Sequence, residues 1–180
     1  TALGDGKILF SASTAANGQE LWVTDGTDAG TTLLKDIRTG SGSSAPTGLT
    51  ALSDGKAVFR ATTPTHGSEL WVTDGTAAGT TLLKDIRTGS GSSAPTGLTA
   101  LSDGKAVFRA TTPTHGSELW VTDGTAAGTT LLKDIRTGSD NNVMAGFTAL
   151  GNGKALFRAT TATNGTELWV TDGTDAGTTL

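Results

Sequence analysis

The eight residues ELWVTDGT occupy positions 20–27 and recur, letter for letter, at 69–76, 118–125 and 167–174. The tryptophans of successive copies are 49 residues apart. Self-similarity at a fixed period of this length indicates a repeat architecture, in which one small unit of structure is stacked several times. The octet therefore predicts the architecture of the chain more strongly than any other stretch of its sequence.

The repeat organises the whole chain as a single repeat domain. The 180 residues divide into four units, the last of them shorter than the others: 1–49, 50–98, 99–147 and 148–180. Segments 50–90 and 99–139 are identical, which indicates recent amplification or deliberate construction, and the variation at the two ends of the chain favours natural amplification. The chain varies most in residues 14–19, 139–147 and 162–166, so we expect any specific function to depend on these segments.

Each unit contains four segments with the pattern of short strands. In the second unit they are GLTAL (48–52), KAVFRATT (56–63), ELWVT (69–73) and TTLLKDI (80–86). KAVFRATT alternates between two sets of side chains, and SDG and DG supply hairpin turns between the strands. No segment between the Gly and Pro residues sustains a helical period.

Four short antiparallel strands in about 49 residues predict an all-β fold, a β-propeller of four blades whose last blade is incomplete. The coils of a β-solenoid are usually shorter, and a sandwich gives no reason for a strict repeat. One blade cannot bury both of its faces, so neighbouring blades must pack on each other. We expect Phe59, Trp71, Leu83 and Ile86, with their copies, to form the core between blades.

The composition excludes several classes of function. The chain has 26 Gly, no Cys, 17% charged residues and a formal net charge of -4. Acids and bases are interspersed, without the basic cluster of a nucleic-acid surface. The absence of Cys removes disulfides and thiolate chemistry. No apolar run approaches the roughly 20 residues of a membrane span, so membrane insertion is not expected.

The short fourth unit predicts an unpaired sheet edge, which proteins usually avoid. Three arrangements would cover it. The chain could close on itself as a small ring, two copies could form a larger ring, or the next copy could supply the missing strand in a longer protein or a fibre. The expected partner is therefore the chain itself, and the alternative partners are another protein or a glycan.

The stretch ELWVTDGTDAGTTLLKDI (20–37) resembles the bacterial ELWxxDGT repeat, and all four copies match that signature. The resemblance covers essentially the whole chain. It implies a propeller-like fold in a secreted or cell-surface protein, and it implies no catalytic residues. In that setting the alternative protein partner is another surface protein. Ser11 departs from the pattern, since the other units have Arg at the equivalent position.

The octet residues are predicted to be structural. We expect Glu to hold the strand register through an ion pair, such as Glu69 with Arg60, Trp to fill the core, and Asp to accept hydrogen bonds in the turn. A residue type repeated in every unit is a poor candidate for catalysis, because an active site is needed once. These positions are Glu20, Trp22, Asp25, Glu69, Trp71, Asp74, Glu118, Trp120, Asp123, Glu167, Trp169 and Asp172.

Two further hypotheses concern ligands. Asp25 with Asp28, or Asp172 with Asp175, could bind calcium, but a calcium loop needs more closely spaced oxygen ligands, so no cofactor is expected. His66 and His115 lie in PTHGS loops and are possible ligand residues, although a metal site usually needs a third ligand. We expect exposed loop residues there.

The sequence thus predicts a non-enzymatic structural or interaction module of an extracellular or cell-surface protein, with the capacity to self-assemble. A carbohydrate-binding propeller that uses the loops between blades, with Trp stacking on sugars, is the alternative. A hydrolase or lyase at a central channel is a third hypothesis, and no unique catalytic cluster supports it.

The core assignment of Trp71 leads to a stability prediction. Trp71→Ala should lower the free energy of unfolding by roughly 3–5 kcal/mol, as for other large buried side chains. Chemical denaturation measures this loss. A variant with unchanged stability and lost ligand binding would contradict the assignment.

Overall fold

The computed structural model describes residues 1–180 and consists of 14 β-strands in four antiparallel sheets, which confirms the all-β prediction. The first and fourth sheets have three strands, and the second and third have four. The strands are β1 Ile8–Thr14, β2 Gly18–Thr24, β3 Thr32–Lys35, β4 Thr47–Ala51, β5 Ala57–Thr63, β6 Gly67–Thr73, β7 Thr81–Lys84, β8 Thr96–Ala100, β9 Ala106–Thr112, β10 Gly116–Thr122, β11 Thr130–Lys133, β12 Ala145–Ala149, β13 Ala155–Thr161 and β14 Gly165–Thr171. No helix is long and apolar enough to cross a bilayer.

Strands that are consecutive in the chain are also neighbours in each sheet. The second sheet spans 47–84 and the third spans 96–133, so the unit boundaries at 50 and 99 fall inside β4 and β8. An isolated bridge from Ala2 to Ile8 extends the first sheet, and another from Val170 to Thr179 extends the fourth.

The turns follow from local residue chemistry. Between β4 and β5, the Asp54 side chain accepts a hydrogen bond from the Lys56 amide (3.2 Å), and Gly55 adopts a φ of 81°. Such a positive φ costs glycine nothing, whereas a side chain would clash with the backbone. The same turn recurs in the third sheet, where the Lys105 amide donates to Asp103 (3.2 Å).

The core lies between the sheets, as predicted. On β5, Phe59 and Ala61 pack with Leu9 and Leu21 of the first sheet. Val58, on the opposite face of β5, packs with residues of the third sheet. β5 is therefore buried on both faces, because its sheet lies between two neighbours.

The predicted core residues divide between these two faces. Phe59 and Trp71 face the first sheet, whereas Leu83 and Ile86 pack toward the third. Trp71 and Trp120 are each 9% exposed, which confirms their place in the core, and Trp169 packs half-buried against the core between the third and fourth sheets. The prediction is wrong for Trp22, which belongs to no core cluster because no sheet precedes the first one. Every internal interface thus joins a Leu and Val face of one sheet to an Ala, Phe and Trp face of the next.

The connections also join the sheets through polar contacts. The Thr50 hydroxyl donates to the Leu98 carbonyl in the third sheet (3.3 Å), and the Thr1 hydroxyl donates to the Leu49 carbonyl in the second (2.6 Å). No hydrogen-bonded strand pair joins the first sheet to the fourth.

Candidate functional site

The glutamate of the octet is buried and does not pair with arginine, so the predicted ion pair is wrong. In the β5–β6 ladder Glu69 lies opposite Ala61, and Arg60 lies opposite Leu70. Neighbouring residues of a strand point to opposite faces, so the side chains of Glu69 and Arg60 lie on different faces of the sheet. The Glu69 carboxylate is 0% exposed.

This carboxylate instead holds the loop that leads to the next sheet. It accepts hydrogen bonds from the Ile86 amide (2.9 Å), the Ser93 amide (2.6 Å) and the Ser93 hydroxyl (2.6 Å). The Ser93 carbonyl then accepts a bond from the Thr111 amide of β9 (2.8 Å). One buried side chain therefore sets the position of the next sheet.

The first unit repeats this arrangement around Glu20. Its partners are the Ile37 amide (2.9 Å), the Ser44 amide (2.7 Å) and the Ser44 hydroxyl (2.6 Å). We call the buried glutamate and its loop donors the clamp. Since no arginine takes part in the clamp, Ser11 in place of Arg leaves it intact. The fourth copy differs, because Glu167 is exposed.

The variable segment 139–147 changes the clamp around Glu118. Its donors are the amides of Ile135 (2.8 Å) and Arg136 (3.3 Å). Asn142 replaces the serine, and its side-chain oxygen accepts the Thr160 amide (2.8 Å), a bond that a backbone carbonyl accepts in the other units. Glu118 thus loses its hydroxyl donor.

Burial raises the pKa of two octet glutamates, Glu69 and Glu118. Desolvation raises the pKa of Glu118 to about 7 and that of Glu69 in the same direction, and the negative charges of Asp134 and Asp85 add to the two effects. Hydrogen bonds oppose the shift. The Asn142 side chain lies near enough to lower the pKa of Glu118 somewhat, although its Nδ2 makes no hydrogen bond of normal length.

The aspartate of the octet forms the turn, as predicted. Asp74 Oδ1 accepts hydrogen bonds from the Thr76 amide (2.9 Å) and the Thr76 hydroxyl (2.7 Å), and these bonds lower the pKa of Asp74. The Thr76 hydroxyl oxygen accepts the Gly79 amide (2.9 Å). A Cβ on Gly79 would overlap the Asp74 carboxylate, so this glycine is part of the motif.

The Asp-Gly-Thr turn of each of the last three units is bound by a lysine of the unit before it. Lys84 Nζ donates to the carbonyls of Ala126 (3.0 Å) and Thr129 (2.7 Å) in the third unit. Lys133 binds the carbonyl of Asp175 (3.0 Å) and its carboxylate (2.9 Å). Asp175 therefore serves an ion pair, and no group of three or more His, Cys, Asp or Glu side chains converges as a metal site.

The two histidines lie at the hairpins between the second and third strands of the inner sheets. His66 Nδ1 lies 2.9 Å from the Thr65 hydroxyl, and His115 Nδ1 lies 2.9 Å from the Thr114 hydroxyl. Their equivalents in the outer units are Asn17 and Asn164. The two rings line separate cavities and do not share a site.

These cavities are grooves between neighbouring sheets. Groove A has a volume of about 640 Å³. It lies between the loop that joins β3 to β4, which contains Arg38, and the second sheet, which contains His66 and Trp71. Groove B, of about 320 Å³, has Arg87, His115 and Trp120 at the equivalent places. Groove C, of about 260 Å³, has Arg136, Asp140 and Thr163. The first two volumes fall within the range of small-molecule sites.

Several of these residues were not predicted from the sequence. Ser44 and Ser93 hold the clamp, Lys84 ties units together, and Arg38 and Arg87 line the grooves. Their recurrence in LLKDIRTGSGSS was a usable signal, but that loop has little apolar surface and offered no strand pattern.

No protein-family model and no curated protein matches this chain. The chain is similar to a crystal structure of a puromycin hydrolase mutant complexed with PGG, with a TM-score of 0.59 and 14% identity over 92% of this chain. It spans 25% of the length of that hydrolase, and the likeness shows the fold alone. A putative exo-beta-1,3-galactanase from Bifidobacterium bifidum s17 has a TM-score of 0.42 and 12% identity, over 95% of this chain and 65% of that one.

The tight turn predicts a selective effect of alanine at one glycine. Gly128→Ala should lower the free energy of unfolding by about 1–3 kcal/mol, because its Cβ would overlap the Asp123 carboxylate and break the turn. Gly4→Ala is the control, since its Cβ would meet nothing within 4 Å. Equal losses in urea denaturation would contradict the steric explanation.

The buried glutamates predict a dependence of stability on pH. Between pH 4.5 and about 7 the folded state retains a proton on Glu118 that the unfolded state releases. The free energy of unfolding should therefore fall as pH rises through this window, by at most about 1.4 kcal/mol per pH unit for one group. Urea denaturation at several pH values measures the slope.

Glu118→Gln should flatten this slope, because the amide binds no proton in the window. The matched Glu167→Gln removes the same charge from an exposed side chain and is the control. A slope that Glu118→Gln leaves unchanged would show that other groups produce it.

Proposed function

We propose that this chain is a non-enzymatic scaffold of the β-propeller type that associates with other copies through its two end faces. The observation that carries the proposal is the state of these faces. Leu21, Leu70 and Leu119 are 0% exposed, whereas the equivalent Leu168 in the fourth sheet is 63% exposed. At the other end, Ile8 is 48% exposed, whereas its equivalents in the other sheets are alanines with no exposed surface.

The two end faces are complementary, because they carry the equivalents of residues that pack together between sheets inside the chain. The fourth sheet presents Leu156, Leu168 and Val170, the equivalents of residues that a neighbouring sheet covers in the second unit. The first sheet presents Phe10 and Trp22, the equivalents of the residues that cover such a face. An interface between the two faces of different copies would be head-to-tail, which gives a ring or a filament.

The use of the octet carboxylates supports a non-enzymatic role. Glu20 and Glu69 accept hydrogen bonds from loop donors, and Asp25 and Asp74 accept them within their own turns. Carboxylates that accept three bonds, as the glutamates of the first two units do, or two bonds, as the turn aspartates do, serve folding. The setting in a secreted or cell-surface bacterial protein rests on the resemblance to the ELWxxDGT repeat, and so does the propeller assignment in part.

Solution mass tests the association. The wild-type chain of 18.0 kDa should have a mass of two or more chains by light scattering, and Leu168→Glu should reduce it to one chain, because a charge on this face would be buried without a partner. Val143→Glu is the matched control, since Val143 is 57% exposed but lies in a loop.

A mixing experiment tests the head-to-tail geometry. Ile8→Glu should also give single chains, because it disrupts the opposite face. A mixture of the Ile8→Glu and Leu168→Glu variants keeps one intact face of each kind, so it should form a pair of chains. A wild-type chain that stays single, or a mixture that does not pair, would contradict the proposal.

Carbohydrate binding in the grooves between sheets is the second candidate function. It is favoured by the tryptophans at the base of grooves A and B, beside threonine hydroxyls. An aromatic surface with convergent polar groups is a common way to bind a small polar ligand. Binding to a glycan array by single chains of the Leu168→Glu variant would support this candidate independently of the association.

A further inference from the structure

We propose that grooves A and B bind a saccharide through its carboxylate group, and that groove C does not. This inference rests on the second candidate function and adds the chemistry of the ligand. The side chains that carry it are an arginine without an ion pair, a histidine across the groove from it and a tryptophan at the base.

The arginines of grooves A and B are not neutralised within the chain. The five ion pairs of the structure involve Lys7, Lys56, Lys105, Lys133 and Arg136, and none involves Arg38 or Arg87. No acidic residue lines either groove. A guanidinium group binds a carboxylate with two parallel hydrogen bonds, which makes it the expected anchor for such a ligand.

The facing histidine supplies a further donor. His66 Nδ1 lies 2.9 Å from Thr65 Oγ1, and in the tautomer that accepts this hydroxyl proton Nε2 carries a hydrogen. Trp71 lines groove A beside this histidine. Its Nε1 is buried without a hydrogen bond, as are those of Trp22 and Trp169, so the indole offers the groove its ring surface and not its N–H.

Groove C contains the contrast within the same chain. The loop position that is Gly42 in groove A and Gly91 in the loop of groove B is Asp140 here. Its carboxylate pairs with Arg136 at 3.0 Å and neutralises the arginine. Position 164 is Asn in place of the histidine, so groove C has a paired arginine and no histidine.

The groove walls favour a saccharide over a free anion. Thr63 and Thr65 line groove A and can bond to ring hydroxyls, while Pro64 and the indole of Trp71 offer an apolar surface. A uronic acid has the matching features, since it combines a carboxylate, hydroxyl groups and an apolar ring face. The volume of about 640 Å³ accommodates a ligand of this size.

The test follows the four indole N–H resonances by NMR during titration with glucuronate, glucose or acetate. Glucose differs from glucuronate in lacking the carboxylate, and acetate lacks the sugar ring. We expect glucuronate to shift the Trp71 and Trp120 resonances and to leave those of Trp22 and Trp169 in place. The single-chain Leu168→Glu variant is used so that association does not affect the spectra.

Matched substitutions assign the response to each groove. Arg38→Gln should raise the Kd measured at Trp71 by about tenfold or more and leave the response of Trp120 unchanged, since a charged hydrogen bond is lost in one groove only. Arg87→Gln should do the reverse. The unaffected groove shows in each case that the variant is folded.

A gain-of-function variant completes the test. Asp140→Gly with Asn164→His frees Arg136 and places a histidine at the position equivalent to His115, while Ala162 still stands where groove B has Pro113. Glucuronate should then also shift Trp169, which is the sequence equivalent of Trp71 and Trp120. Equal affinity for glucose and glucuronate would overturn the carboxylate assignment while leaving carbohydrate binding as the second candidate. Equal affinity for acetate would overturn the saccharide assignment. No shift with any of the three compounds would overturn both.

Discussion

A carboxylate group without exposed surface holds each of the three connections between sheets. Glu69 lies in the middle of β6 and binds both ends of the loop that follows β7, at Ile86 and Ser93. The Ser93 carbonyl in turn binds β9 of the next sheet. The orientation of neighbouring sheets therefore depends on a buried polar group whose removal would leave several amides without partners.

The clamped loops also form one wall of each groove. Arg38 and Arg87 follow directly after the amides that the glutamates bind, so the same contacts that order the loops place these arginines beside the next sheet. In the third loop, Asn142 and Asp140 change both the clamp and the charge of the groove. The sequence variation in residues 139–147 therefore alters the chemistry of groove C while the repeated arrangement of the sheets stays the same.

The strands and turns were predictable because their signals are local. KAVFRATT and ELWVT became β5 and β6 within two residues of the predicted ends, and Asp74 and Gly75 formed the predicted turn. The predicted pair of Glu69 and Arg60 failed, because sequence separation does not give the register that places them on opposite faces. The grooves were not predictable either, since each is lined by residues of two units.

The sequence by itself determined the repeat, the all-β class, the strand order within a unit and the core position of the tryptophans in the two inner sheets. These properties follow from periodicity, alternation and turn chemistry, which act between residues close in the chain. Only the tertiary structure decided which face of each sheet covers its neighbour, that the glutamates are buried, and which arginines lack an ion pair. These properties depend on contacts between units. Because the sequence is nearly the same in every unit, it does not distinguish a face that a neighbour covers from a face at either end.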